Sequence, residues 1–203
     1  MQRLRFTGAI AGVGSTSGVR FVVGRWTESP LGSFADVMVE DAAGHRTLLA
    51  PDDEVADFVQ QTYAFDEVVT TPVSVQATTD GWDVQAEGAL TAYLALGPRM
   101  PLGWLLRAVP PPVAASPAWA TLIDPVAKVV MRGVRTRGTA LEGRREWYGA
   151  TDLRSVSSLG GSWRGTPLGR LADVDPPCRF GFSSTPTRPS VTSVVTTVEL
   201  LGD

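Results

Sequence analysis

Four residues have the types and spacing that proton-transfer chemistry needs: Asp36, Glu40, Glu146 and Tyr148. Asp36 and Glu40 stand four apart in an extended run, so both face one side of a strand and could act as a pair, or each could answer an arginine. Glu146 and Tyr148 share a face in the same way. A carboxylate that removes a proton and a phenol that returns one suit enol or decarboxylation chemistry, provided that burial brings the carboxyl toward the working pH.

A second group could bind rather than react. Arg132, Arg135, Arg137, Arg144 and Arg145 fall in a short span. In strand geometry Arg135 and Arg137 share a face, and Arg145 shares one with Trp147. If 133–138 pairs with 144–149, Arg135, Arg137 or Arg145 could clamp a carboxylate or phosphate. The alternative is a solvated face paired with Glu142, Glu146 or the acidic N-terminal region. Trp26, Trp82, Trp147 and Phe182 could line a barrel and hold an apolar ligand.

Scarcity removes most other chemistry. Lys128, His45 and Cys178 are each the sole residue of their type. A Schiff base could use only Lys128, a hydrolytic triad only His45, and a Cys/His zinc site cannot be assembled in one chain. Gly12, Gly14 and Gly18 have the wrong spacing for a dinucleotide fingerprint, and a strand follows them rather than a helix that could receive a phosphate. Gly14 to Gly18 places Thr16 where a nucleophile elbow needs serine. His45 reads as a turn residue and Cys178 as a small buried hydrophobe. No cofactor and no metal are expected.

The elements that must position these residues are mostly extended. Runs at 2–11, 19–26, 34–40 and 46–49 read as strands, the first two joined by turn chemistry over Gly12–Gly18 and the last two by Asp41–Gly44. Residues 52–63 read as a helix, with acids in the first turn and Val55, Phe58, Val59 and Thr62 at helical spacing. Strands follow at 67–77, 81–87 and 89–96, then helices at 102–109 and 117–131. Pro117 opens the second of these, and Pro125 kinks or splits it. Lys128 falls roughly opposite that helix's apolar stripe. The chain ends in strands at 133–139, 144–157, 177–184 and 190–200.

At 203 residues and 43% hydrophobic, the sequence fits one β-rich domain over 1–203, with a helical insertion at about 98–131. The net charge of −3 gives no footprint for nucleic acid. Residues 36–67 carry nine acids and one arginine, while 132–170 carry eight arginines and three acids. One cysteine, no apolar leader at the start and no spanning stretch are consistent with a cytoplasmic protein without a membrane partner.

Ser29-Pro30-Leu31-Gly32 before strand 34–40, Leu48-Leu49-Ala50-Pro51 before a helix ending near Tyr63-Ala64-Phe65, the β-run from Trp82 to Leu96 and the proline-broken helices of 98–131 come in an order that resembles the acetoacetate decarboxylase-like superfamily. The resemblance implies a mostly antiparallel sheet curved into a barrel around a cavity, with helices outside. Those decarboxylases use a lysine pair and a Schiff base; this chain has no such pair. The reading is therefore α+β, an antiparallel barrel-like core with about three peripheral helices. It binds a small, partly apolar molecule, anionic if the arginines face it, without Schiff-base chemistry. The alternatives are a lyase-type enzyme using carboxylates and arginine, and an interaction module or homodimer.

Overall fold

A computed structural model describes residues 2–110, 113, 137–139, 144–181 and 184–200. Strands dominate, in the order β1 (Gln2–Ser15), β2 (Arg20–Glu28), β3 (Phe34–Glu40), β4 (Arg46–Ala50), helix α1 (Asp53–Gln60), β5 (Glu67–Thr70), β6 (Val73–Ala77), β7 (Gly81–Ala86), β8 (Leu90–Arg99), helix α2 (Pro101–Arg107), β9 (Arg137–Thr139), β10 (Arg144–Trp163), β11 (Thr166–Pro167), β12 (Leu171–Ala172) and β13 (Ser190–Leu200). They form one sheet in the order β5-β4-β3-β2-β1-β13-β10-β8-β7-β6, with β9 and β11 on β10 and β12 on β1. All pairs are antiparallel except β4 with β5.

The sheet curls until β3 lies against β6, giving an open half-barrel. Alternation decides what fills it. Odd-numbered residues of the first four strands, among them Ala11, Val13, Phe21, Val23, Val37 and Leu49, point into the curl and meet Trp82, Val84 and Ala86 of β7 and Leu90, Ala92 and Leu94 of β8. Among the described residues this interior is packed with side chains. The even-numbered residues face outward and are also buried. Leu48 and Ala50 pack under Val55, Ala56 and Val59 of α1, and Val22 packs under Val174, Cys178 and Phe180.

Helix α1 forms where expected but ends at Gln60. Asp52 caps it by accepting from the Val55 N–H at 2.9 Å, and Asp53 and Glu54 meet its positive end. Helix α2 has proline at its start and lies across β10, close enough that a Cβ on Gly103 would meet the Leu153 carbonyl. The helix expected at 117–131, with Lys128, lies outside the described residues, so the described helices number two.

Three expectations need correction. The run 67–77 is two strands broken at Thr71-Pro72: β5 pairs with β4 at one edge of the sheet, and β6 with β7 at the other. Residues 12–18 are not all turn, because β1 runs on to Ser15. Gly12 and Gly14 serve close approach instead: a Cβ would fall 2.3 Å from Thr185 at the first and 2.2 Å from the Asp173 carbonyl at the second. Third, the segment 177–184 has no strand among its described residues. It belongs to a covering loop, described over 173–181 and 184–189, closed by Val174 N–H to the Thr187 carbonyl at 2.8 Å. Pro176 and Pro177 cannot donate to a ladder, so the loop packs by its side chains.

Glu40 ties this loop down. It lies opposite Arg20 in the β2–β3 register and pairs with it at 3.0 Å, both side chains being buried. Its other oxygen accepts from the Arg179 N–H at 2.8 Å, while Arg20 also donates to the Pro176 carbonyl. Asp36 and Glu40 do share a face, but Glu40 is committed to Arg20 and Arg179. Replacing Glu40 with Ala would strand the Arg20 charge in the interior and should cost about 3–5 kcal/mol, measurable by urea unfolding. The same change should expose Cys178, whose thiol is buried and pushed up to about 12 by that burial. A thiol reagent that acts slowly on the native protein should label the variant rapidly.

Candidate functional site

The outer face of the sheet is not fully covered by α1, α2 and the 173–189 loop. Between them lies a two-lobed cavity. The larger lobe, about 130 Å³, has Ile10, Thr192 and Val194 as its floor and Leu102, Leu106 and Phe180 as its cover. The smaller, about 70 Å³, is walled by Phe6, Trp26, Phe34 and Phe58, with Asp36, Glu146 and Thr196 among its polar groups. Ile10, Val22, Met38, Tyr63 and Tyr148 line both lobes, so the two adjoin.

Register explains why these residues meet. Tyr148, Thr196 and Phe6 are direct neighbours across β10, β13 and β1, and Glu146 lies one row away, opposite Val198. Asp36 lies opposite Gly24, which in turn lies opposite Ile10. A bulge between Ala150 and Asp152 keeps Leu153 on the cavity side of β10 beyond Ala150.

Two hydrogen-bonded groups form the polar end. Tyr148 Oη donates to Glu146 Oε2 at 2.7 Å and accepts from Tyr63 Oη, which also lies 3.3 Å from the same carboxylate oxygen. Tyr63 reaches in from the turn after α1, its ring so close to Gly181 that a Cβ there would lie 2.7 Å away. Burial, then the Glu146 carboxylate, raises both phenols well above their ordinary range. In the second group Trp26 Nε1 donates to Asp36 Oδ1 at 3.0 Å. This bond passes directly over Gly24, where a Cβ would fall 2.3 Å from Asp36 Oδ1 and 2.7 Å from Trp26 Nε1. The Thr196 hydroxyl is buried beside them without a hydrogen-bond partner. Such a group costs about 1–3 kcal/mol.

Asp36 is 4% exposed, and burial raises its carboxyl to about 7 against the pull of the Trp26 bond. A carboxyl in this state can hold or release a proton near neutrality. Among the described residues no group of His, Cys, Asp and Glu could hold a metal ion.

Of the residues singled out in the sequence, Asp36, Glu146, Tyr148 and Trp26 come together here. Glu40 does not; it holds the covering loop. Trp82 packs in the core on the opposite face of the sheet. Trp147 alternates with Glu146 and Tyr148 and is not among the lining residues. Phe182 and Arg135 lie outside the described residues. Arg137 and Arg145 are placed by backbone register, opposite Trp147 and Thr139. His45 is a turn residue 3.4 Å from Glu67. Tyr63, Thr196 and Gly24 went unnoticed in the sequence. An isolated glycine inside a strand was the one available signal for Gly24.

No family model and no curated protein matches this chain. A solved structure similar to it is the crystal structure of acetoacetate decarboxylase from Legionella pneumophila, with a TM-score of 0.42 and 8% identity over 100% of this chain and 86% of that one. The resemblance read in the sequence is thus met weakly, at the level of fold, and no chemistry follows from it. No described helix is long and apolar enough to cross a membrane.

Asp36 should leave a mark on stability. Its folded pKa of about 7 lies above the unfolded value, so the folded protein holds the extra proton between about pH 4 and 7. The stability contributed is fully present below the unfolded pKa and is lost as pH rises through 7, up to about 4 kcal/mol for a shift of this size. Urea unfolding from pH 5 to 8 should show this decline in the native protein, and a shallower one in Asp36→Asn.

Proposed function

We propose that this chain binds a small, partly apolar molecule in the two-lobed cavity on the outer face of its half-barrel, without Schiff-base chemistry. The observation that carries this reading is the cavity itself: an apolar space, bounded by side chains from the sheet, α2 and the covering loop, that ends in a buried cluster of polar groups. Apolar walls with a few convergent polar groups are how proteins recognise small molecules. An anionic ligand would need Arg135, Arg137 or Arg145. The described residues that line the cavity include two carboxyls and no cationic side chain.

A second reading, proton-transfer catalysis of the lyase type, is favoured by one observation: Asp36, Glu146 and Tyr148 meet at one end of the cavity, and burial brings Asp36 to about 7, where a general acid or base works best. Tyr63 joins Tyr148 as a phenol at that end.

Native mass spectrometry of freshly purified protein, compared with the denatured mass, tests the binding reading. A reproducible extra mass that vanishes on denaturation is expected. Ala150 lines the larger lobe, and Ala150→Phe should fill it, cutting retention of that mass at least tenfold while urea unfolding shows the fold kept. A bare chain mass from both proteins, with no small molecule retained from a mixed library, would count against it.

A further inference from the structure

The polar end of the cavity is built from acceptors. The Tyr148 proton goes to Glu146 and the Tyr63 proton to Tyr148. Asp36 has one oxygen held by Trp26, and no other hydrogen bond to it is seen among the described residues. Thr196, 5% exposed, lines the same lobe, and its hydroxyl has no partner among the described residues. An acceptor-rich pocket is satisfied by a ligand that brings donors.

The walls point the same way. Phe6 stands edge-on to Trp26 with ring centroids 5.8 Å apart, and Phe58 and Phe34 close the cluster at 5.1 and 6.5 Å from Phe6. Aromatic faces gathered around a carboxyl attract a positive charge through their quadrupoles, more strongly where water is excluded. We propose that the smaller lobe is the recognition site for an organic ammonium group, with the Asp36 carboxylate and the Thr196 hydroxyl as its polar partners, the rings of Phe6, Trp26, Phe34 and Phe58 as its cage, and the larger lobe holding the ligand's apolar part. This rests on the cavity being a ligand site and names the ligand class.

Asp36 faces Trp26 from β2, Tyr63 from the turn after α1, Glu146 and Tyr148 from β10, and Thr196 from β13. Ammonium binding requires the ionised carboxyl, so affinity should rise as pH passes through 7.

The test is calorimetric titration of the full chain with three probes of one shape: benzylamine, benzyl alcohol and benzoate. At about pH 8 benzylamine should bind at least about tenfold more tightly than the other two, and its affinity should fall about tenfold on going to about pH 6. Asp36→Asn should abolish the preference for the amine over benzyl alcohol, with urea unfolding showing that the variant keeps its fold. Thr196→Val should weaken benzylamine severalfold. Equal or tighter binding of benzyl alcohol or benzoate, or an amine preference that survives Asp36→Asn, overturns the ammonium assignment and leaves the cavity reading standing. Failure of all three probes to bind at millimolar concentration overturns both.

Discussion

A sheet whose two faces are both apolar must find two covers, and the rest of this molecule follows from how each is found. The odd-numbered face of the first four strands covers itself by curling until it meets β7 and β8, and buried side chains of one sheet pack against each other there. The even-numbered face has no strands left to meet it. It is covered by a short helix on one side, a second short helix on another and a proline-rich loop. Such dissimilar pieces do not fill a curved surface to crystalline density, and the space they leave is the cavity.

Most of the polar side chains on that face are tied into small closed groups; the Thr196 hydroxyl is the exception among those that line the smaller lobe. Glu40 and Arg20 neutralise each other and fasten the loop. Tyr63, Tyr148 and Glu146 form a second group, and Trp26 with Asp36 a third. The third differs from the first in lacking a cation among its described partners. Burial raises the Asp36 carboxyl to about 7, and one strand carries two carboxyls in different surroundings, Asp36 beside Trp26 and Glu40 between two arginines.

Much of the fold was legible because alternation and capping are local. The strand at 34–40 matches its expected span, and Asp52 with its following acids announced α1. The pairing of Asp36 with Glu40 on one face was legible for the same reason. Their separation into a site and a staple was not, because it depends on Arg179, far along the chain, and on a loop whose prolines forbid the strand its composition suggested. Trp82 lies in the inner core and not at the cavity on the other face; the period of a strand assigns a residue to a face without saying which face encloses the space. Tyr63 and Thr196 could not be picked out, since only three-dimensional register brings them beside Tyr148.

The long strand β10 serves both layers. Its first half, with Glu146 and Tyr148, floors the cavity beside β13; its second half, with Val156, Leu159 and Trp163, pairs with β8 and closes the inner core. The two halves share one continuous backbone ladder, so the floor of the cavity cannot melt on its own while the half-barrel stays intact. Local opening at the cavity is confined to its roof, so any molecule entering or leaving it would do so by lifting helix or loop from a floor that moves only when the whole domain unfolds.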